Sequence, residues 1–140
     1  MSFFRKFFGK NSSGDILVRV RAIMEKFIEV SLVTVPVERD PDQGKIILVY
    51  MFGALDFLCQ WKEVDEKTTL TFFKELLKNE LGDYTCEQAE IILREVVKVS
   101  AEAEGQLLMK EGAETLKAWL ADTEPGAPFR LTEILISKGK

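Results

Sequence analysis

From Asp15 onward the apolar residues Ile16, Leu17, Val20, Ile23, Met24, Phe27 and Ile28 recur at three- and four-residue steps. Arg19, Arg21, Glu25, Lys26 and Glu29 fall on the opposite side. This is the period with which an α-helix turns one apolar stripe toward a core, so a helix is predicted here with Asp15 as its cap. Its end is less defined, because "VSLVTVPV" is rich in β-branched residues and runs into Pro36. "ERDPDQG" reads as a polar loop. The stretch Lys45–Glu63, "KIILVYMFGALDFLCQWKE", is apolar nearly all round, the pattern of a helix at the centre of a bundle. Within it Gly53, Asp56, Gln60 and Glu63 trace a polar stripe.

Leu70, Phe73, Leu77 and Leu81, with Phe72 and Leu76, predict the next helix, capped by Asp65 or a following threonine. Gly82 is placed to end it in a left-handed turn. "TCEQ" matches a capping box, Thr85 bonding forward and Gln88 reaching back. Ala89, Ile92, Val96, Val99 and Ala103 continue one face, and Leu108, Gly112, Leu116, Trp119 and Leu120 another. Gly105 between them is a break or a close-packing point, which gives two helices or one kinked helix. After "TEPGAP", the tail "FRLTEILISK" is a helix or a docked strand held by Phe129, Leu131, Ile134 and Leu135. The expected fold is all-α, one irregular bundle of five or six helices around a buried central helix at residues 45–63. A minor β element at 30–37 or 131–136 is the alternative. The expected organisation is a segment at 1–10, a linker at 11–14 and one helical domain at 15–140.

Composition narrows what such a bundle can do. Residues 1–14 carry three basic and no acidic side chains, leaving 16 basic against 23 acidic over residues 15–140. A body of charge −7 lacks the basic face that nucleic acid requires. The chain contains no histidine, which excludes Ser-His-Asp and Cys-His nucleophiles, His-ligated metals and a histidine pH switch. Its two cysteines, Cys59 and Cys86, lie in no C-x-x-C motif and read as reduced cytosolic thiols. Neither a metal nor a cofactor is expected. Arg5 and Lys6 interrupt the apolar run a signal peptide needs. The strongest apolar run, Ile46 to Leu55, is ten residues, short of the ~20 of a membrane span.

Individual residues offer little catalytic chemistry. Asp56 is the one acidic residue in the apolar helix, and a desolvated carboxylate there is an acid, base or ligand candidate; the alternative is an exposed strip shared with Gln60. Cys86, first in its predicted helix, is a candidate reactive thiol, since a helix N-terminus favours the thiolate. Gly53, Gly105 and Gly112 lack phosphate-loop spacing and read as packing or break positions. Trp61 and Trp119 read as core edges.

The composition of "MSFFRKFFGK" differs most from the rest. Four of the ten phenylalanines, Phe3, Phe4, Phe7 and Phe8, share a face if residues 2–9 are helical, with Arg5 and Lys6 flanking it. Three covers fit: the protein's own bundle or a homodimer mate, a partner protein, or weakly an anionic membrane surface. The function expected overall is a cytoplasmic, non-catalytic protein-interaction domain: an adaptor, an assembly or regulatory factor, or an inhibitor-like partner. A peripheral membrane protein anchored by residues 2–9 and a small-ligand binder or enzyme centred on Asp56 are the alternatives.

Overall fold

Why one helix can be buried on every side is answered by where its neighbours run. The structure, a computed structural model, describes residues 13–33, 35, 41–122 and 127–138. In chain order these form α1 (Ser13–Leu32), α2 (Pro41–Trp61), α3 (Glu66–Asn79), α4 (Cys86–Ser100) and α5 (Ala103–Ala121). A 3-10 turn (Ala127–Phe129) then leads into α6 (Arg130–Lys138). Six α-helices and no strand are present among the described residues.

Every residue from Val49 to Leu55 of α2 is buried. On one side α1 runs antiparallel to it, Phe27 stacking on Tyr50 with ring centroids 6.3 Å apart. On another, α3 returns antiparallel, with Phe73 meeting Phe52 edge-on at 5.1 Å. α5 runs parallel to α2. Their first turns share a groove in which Asp42, Lys45 and Val49 face Glu104, Gly105 and Leu108. Their ends meet where Phe57 and Trp61 approach Lys117. Parallel neighbours need a crossover connection, which α3 and α4 supply.

The α2–α5 contact is made by backbone. A Cβ placed on Gly53 would land on the carbonyl oxygen and Cα of Met109, and one on Gly112 would land on the carbonyl oxygen of Tyr50. Two helices approach this closely only where a side chain is missing. Gly53 therefore belongs to the core contact and not to an exposed polar stripe, although both glycines do act as packing positions. Gly105 is likewise packed, against the Val99 carbonyl, while the chain breaks just before it at Ala101 and Glu102. There are two helices here, not one kinked helix.

Caps account for most boundaries. The Asp65 carboxylate accepts from the Thr68 amide at 2.7 Å. Thr85 and Gln88 complete the capping box in both directions. Some boundaries differ from the sequence reading. α2 begins at Pro41, four residues early, because proline at the first helical position lacks only an N–H that has no partner there. It ends at Trp61 because Glu63 turns left-handed at φ 58°, letting the Val64 amide bond the Cys59 carbonyl at 2.8 Å. α1 begins at Ser13, within the stretch read as a linker, and not at an Asp15 cap. Gly82 adopts no left-handed turn; α3 closes through the Glu80 and Leu81 amides, both bonding the Leu76 carbonyl, and the Tyr84 ring lies against Gly82.

The β alternative at 131–136 fails, and residues 30–33 of the other form no strand. Leu131, Ile134 and Leu135 bury one helical face over 131–136, and α1 continues through Leu32 into a turn. Residues 34 and 36–37 of the other alternative lie outside the described residues. By length and composition α2 is long and apolar enough to cross a membrane, contrary to the count from its apolar run alone, and more than half of its most apolar window is buried.

Gly53→Ala is expected to destabilise the protein by about 1–3 kcal/mol, the usual cost of overpacking. Gly44, in the same helix with nothing within 4 Å of an added Cβ, serves as the control. Gly44→Ala is expected to stabilise by about 0.5–1 kcal/mol through helix propensity. Urea unfolding of the two variants checks both signs.

Candidate docking cleft

α6 lies antiparallel along α5 without closing against it. Between them runs a cleft of about 480 Å3. Its apolar strip is Leu107 and Leu108 of α5 with Ile134 of α6; Leu108 and Ile134 are buried, but Leu107 keeps 64% of its surface exposed. Glu104, Glu111, Glu114 and Glu133 stand around the strip against Lys110 and Arg130. Arg130 holds the two helices together through the Glu111 carboxylate. Its Nε donates to Oε1 at 3.3 Å and an Nη to Oε2. The Glu111 carboxylate beside it holds the Arg130 guanidinium above its ordinary pKa. Lys110 lies 3.9 Å from Glu114, an exposed i, i+4 pair worth little. The lining thus has two carboxylates more than cations, beside an open leucine.

Behind the Glu111–Arg130 pair sits the Tyr50 hydroxyl, buried with no partner in hydrogen-bond geometry. Burial pushes its pKa up to about 12. The Thr115 hydroxyl opposes the shift without reaching hydrogen-bond geometry, Glu111 adds to it, and Arg130 opposes it. The phenol stays neutral, and stacking on Phe27 fixes its ring.

The sequence-derived candidates lie elsewhere. Asp56 is half-buried on α2, its Oδ2 accepting from Gln60 Nε2 at 2.7 Å, so these two side chains do meet. Burial raises its pKa above the ordinary aspartate value; the Gln60 bond lowers it and Glu66 raises it further. Cys59, one turn on, is buried, and desolvation pushes its thiol up to about 11. Cys86 is exposed at the start of α4, where its sulfur faces the Lys78 ammonium of α3. Nothing joins Cys86 to Asp56. Among the described residues no group of three His, Cys, Asp or Glu side chains could hold a metal. Phe3, Phe4, Arg5, Lys6, Phe7 and Phe8 lie outside the described residues.

Sequence reasoning missed Leu107 and the Glu111–Arg130 pair. The stripe through Leu108 left Leu107 on the outer face, and no local pattern couples residues 19 apart. The "QLLM" doublet was the available signal for an extra leucine. No protein-family model, curated protein or solved structure matches this chain.

Asp56 tests the electrostatics. A carboxyl whose folded pKa is raised favours folding most below its unfolded pKa and loses that contribution as pH rises through the folded value. Asp56→Asn is therefore expected to raise the urea midpoint near neutral pH, and the difference from the parent to vanish in acid. A variant less stable than the parent at neutral pH contradicts the assignment. For the thiols, an aromatic disulfide reagent is expected to modify Cys86 in the native protein and Cys59 only after unfolding.

Proposed function

We propose that this protein is a non-catalytic interaction domain that receives an apolar, basic-edged segment of a partner protein in the α5–α6 cleft. The observation that carries this reading is the open Leu107 beside an apolar strip with an excess of carboxylates around it. Amphipathic helices dock in such grooves through residues at i, i+3 and i+4, and acidic flanks select partners carrying Lys or Arg beside them. The cleft follows α5 from Glu104 to Glu114, about 15 Å at the helical rise, which matches two to three turns of a bound helix. The acidic body supports the same preference over a longer range, steering cationic partners toward the surface.

An adaptor, an assembly factor and an inhibitor-like protein all use this mode, and the cleft is common to the three. Leu107→Asp puts a charge on the strip at an exposed position, so folding stability should change by no more than about 0.5 kcal/mol. Capture from host extract with parent and variant as bait is the test. A stoichiometric protein held by the parent and lost by Leu107→Asp is expected, with unchanged thermal unfolding. Equal retention by the variant, or no stoichiometric protein with the parent, contradicts the proposal.

A further inference from the structure

The parallel course of α2 and α5 brings both C-termini to one end of the bundle. Neither helix has a basic residue in its last turn. Each is followed by an acidic residue in the left-handed conformation, Glu63 at φ 58° and Asp122 at φ 55°. A helix C-terminus carries about half a negative charge, so an acid at that position adds to the dipole instead of offsetting it. Phe57, Gln60, Trp61 and Lys117 line a groove of about 550 Å3 at this end. The Phe57 and Trp61 rings lie 6.1 Å apart, and Trp61 is 50% exposed although the Lys62 ammonium stands over its ring. The aromatic surface, flanked by Lys62 and Lys117, adjoins the two acidic helix ends at Glu63 and Asp122.

The first described helix starts at the same end. Ile16 and Leu17 of α1 share a groove with Lys62, Glu63, Val64 and Asp65 of the α2–α3 turn. The chain before Ser13 is attached there, and its sequence, "FFRKFFGK" over residues 3–10, supplies aromatic and cationic side chains with no acid. From Ser13 back to Phe8 is five residues, a reach of about 16 Å when extended. A tether this short holds the segment near the groove at millimolar effective concentration, which favours a contact within the chain over one between copies.

We propose that Phe3, Phe4, Phe7 and Phe8 close over the Phe57–Trp61 groove of their own chain. Arg5 and Lys6 then face the carbonyl ends of α2 and α5 and the carboxylates of Glu63 and Asp122. Of the three covers that fit the segment, this is the one for which both the attachment point and the charge agree.

Trp119→Phe leaves Trp61 as the sole tryptophan, because the chain has two. In that background, acrylamide quenching of the full chain is compared with a chain lacking residues 2–10 and one with the four phenylalanines changed to serine. A higher quenching constant and a red-shifted emission are expected in both altered chains, and the full chain should keep its values over about a hundredfold dilution. Equal quenching in all three overturns the proposal. So does protection that fades on dilution, which assigns the cover to a second copy, or protection that appears only with phosphatidylserine vesicles. Amide chemical shifts of the unsubstituted chain, with and without residues 2–10, give a second reading. Differences should concentrate at residues 57–64 and 117–122, and a different location or no difference overturns the proposal.

Discussion

The carbonyl of Tyr50 occupies the space that a side chain at position 112 would need, and the backbone of Met109 does the same at position 53. This paired backbone contact holds α5 parallel to α2 and sets what the other helices must do. α3 and α4 carry the chain back so that α5 can start beside the first turns of α2. α1, α3, α4 and α6 then cover what remains of α2, with Phe27 on Tyr50 and Phe73 on Phe52. Interiors at this packing density do not yield by small amounts, so a single added methyl is felt by both helices.

The two surfaces proposed to make contacts follow from that arrangement. α6 is seated on α1 and α2, and its tie to α5 is Arg130 on Glu111, without a closed apolar seam. The open Leu107 strip is what that incomplete closure leaves. At the other surface, parallel packing places two helix ends of the same sign together. An antiparallel pair would have cancelled that charge. The buried and unpaired Tyr50 hydroxyl lies behind the first surface, in a core that also buries Ser31, Thr69 and Thr115.

Much of the fold could be read from spacing alone. The stripes through Ile23 and Phe27, through Phe73 and Leu77, and through Val96 are local repeats, and each is buried as its period implies. The Thr85–Gln88 capping box is equally local and forms in full. What could not be read depends on neighbours distant in sequence. Gly53 read both as part of a polar stripe and as a packing position, and only the second holds, because the Met109 backbone lies where its side chain would be. Pro41 read as part of a loop, since a proline marks a helix start as readily as a turn. Leu107 and the Glu111–Arg130 pair had no local signature, and the candidate cleft was correspondingly hidden. Asp56 and Gln60, singled out as a pair, do bond to each other, an i, i+4 contact that spacing foretells.

The central claim is that α2 and α5 form one cooperative unit through their backbone contact. Native-state hydrogen exchange tests it most directly, because it ranks each amide by the free energy of the opening that exposes it. The account predicts that amides of residues 50–55 and 109–113 share the highest protection in the protein and exchange only with global unfolding. Exchange of the α5 amides through a smaller opening that leaves α2 protected would contradict it.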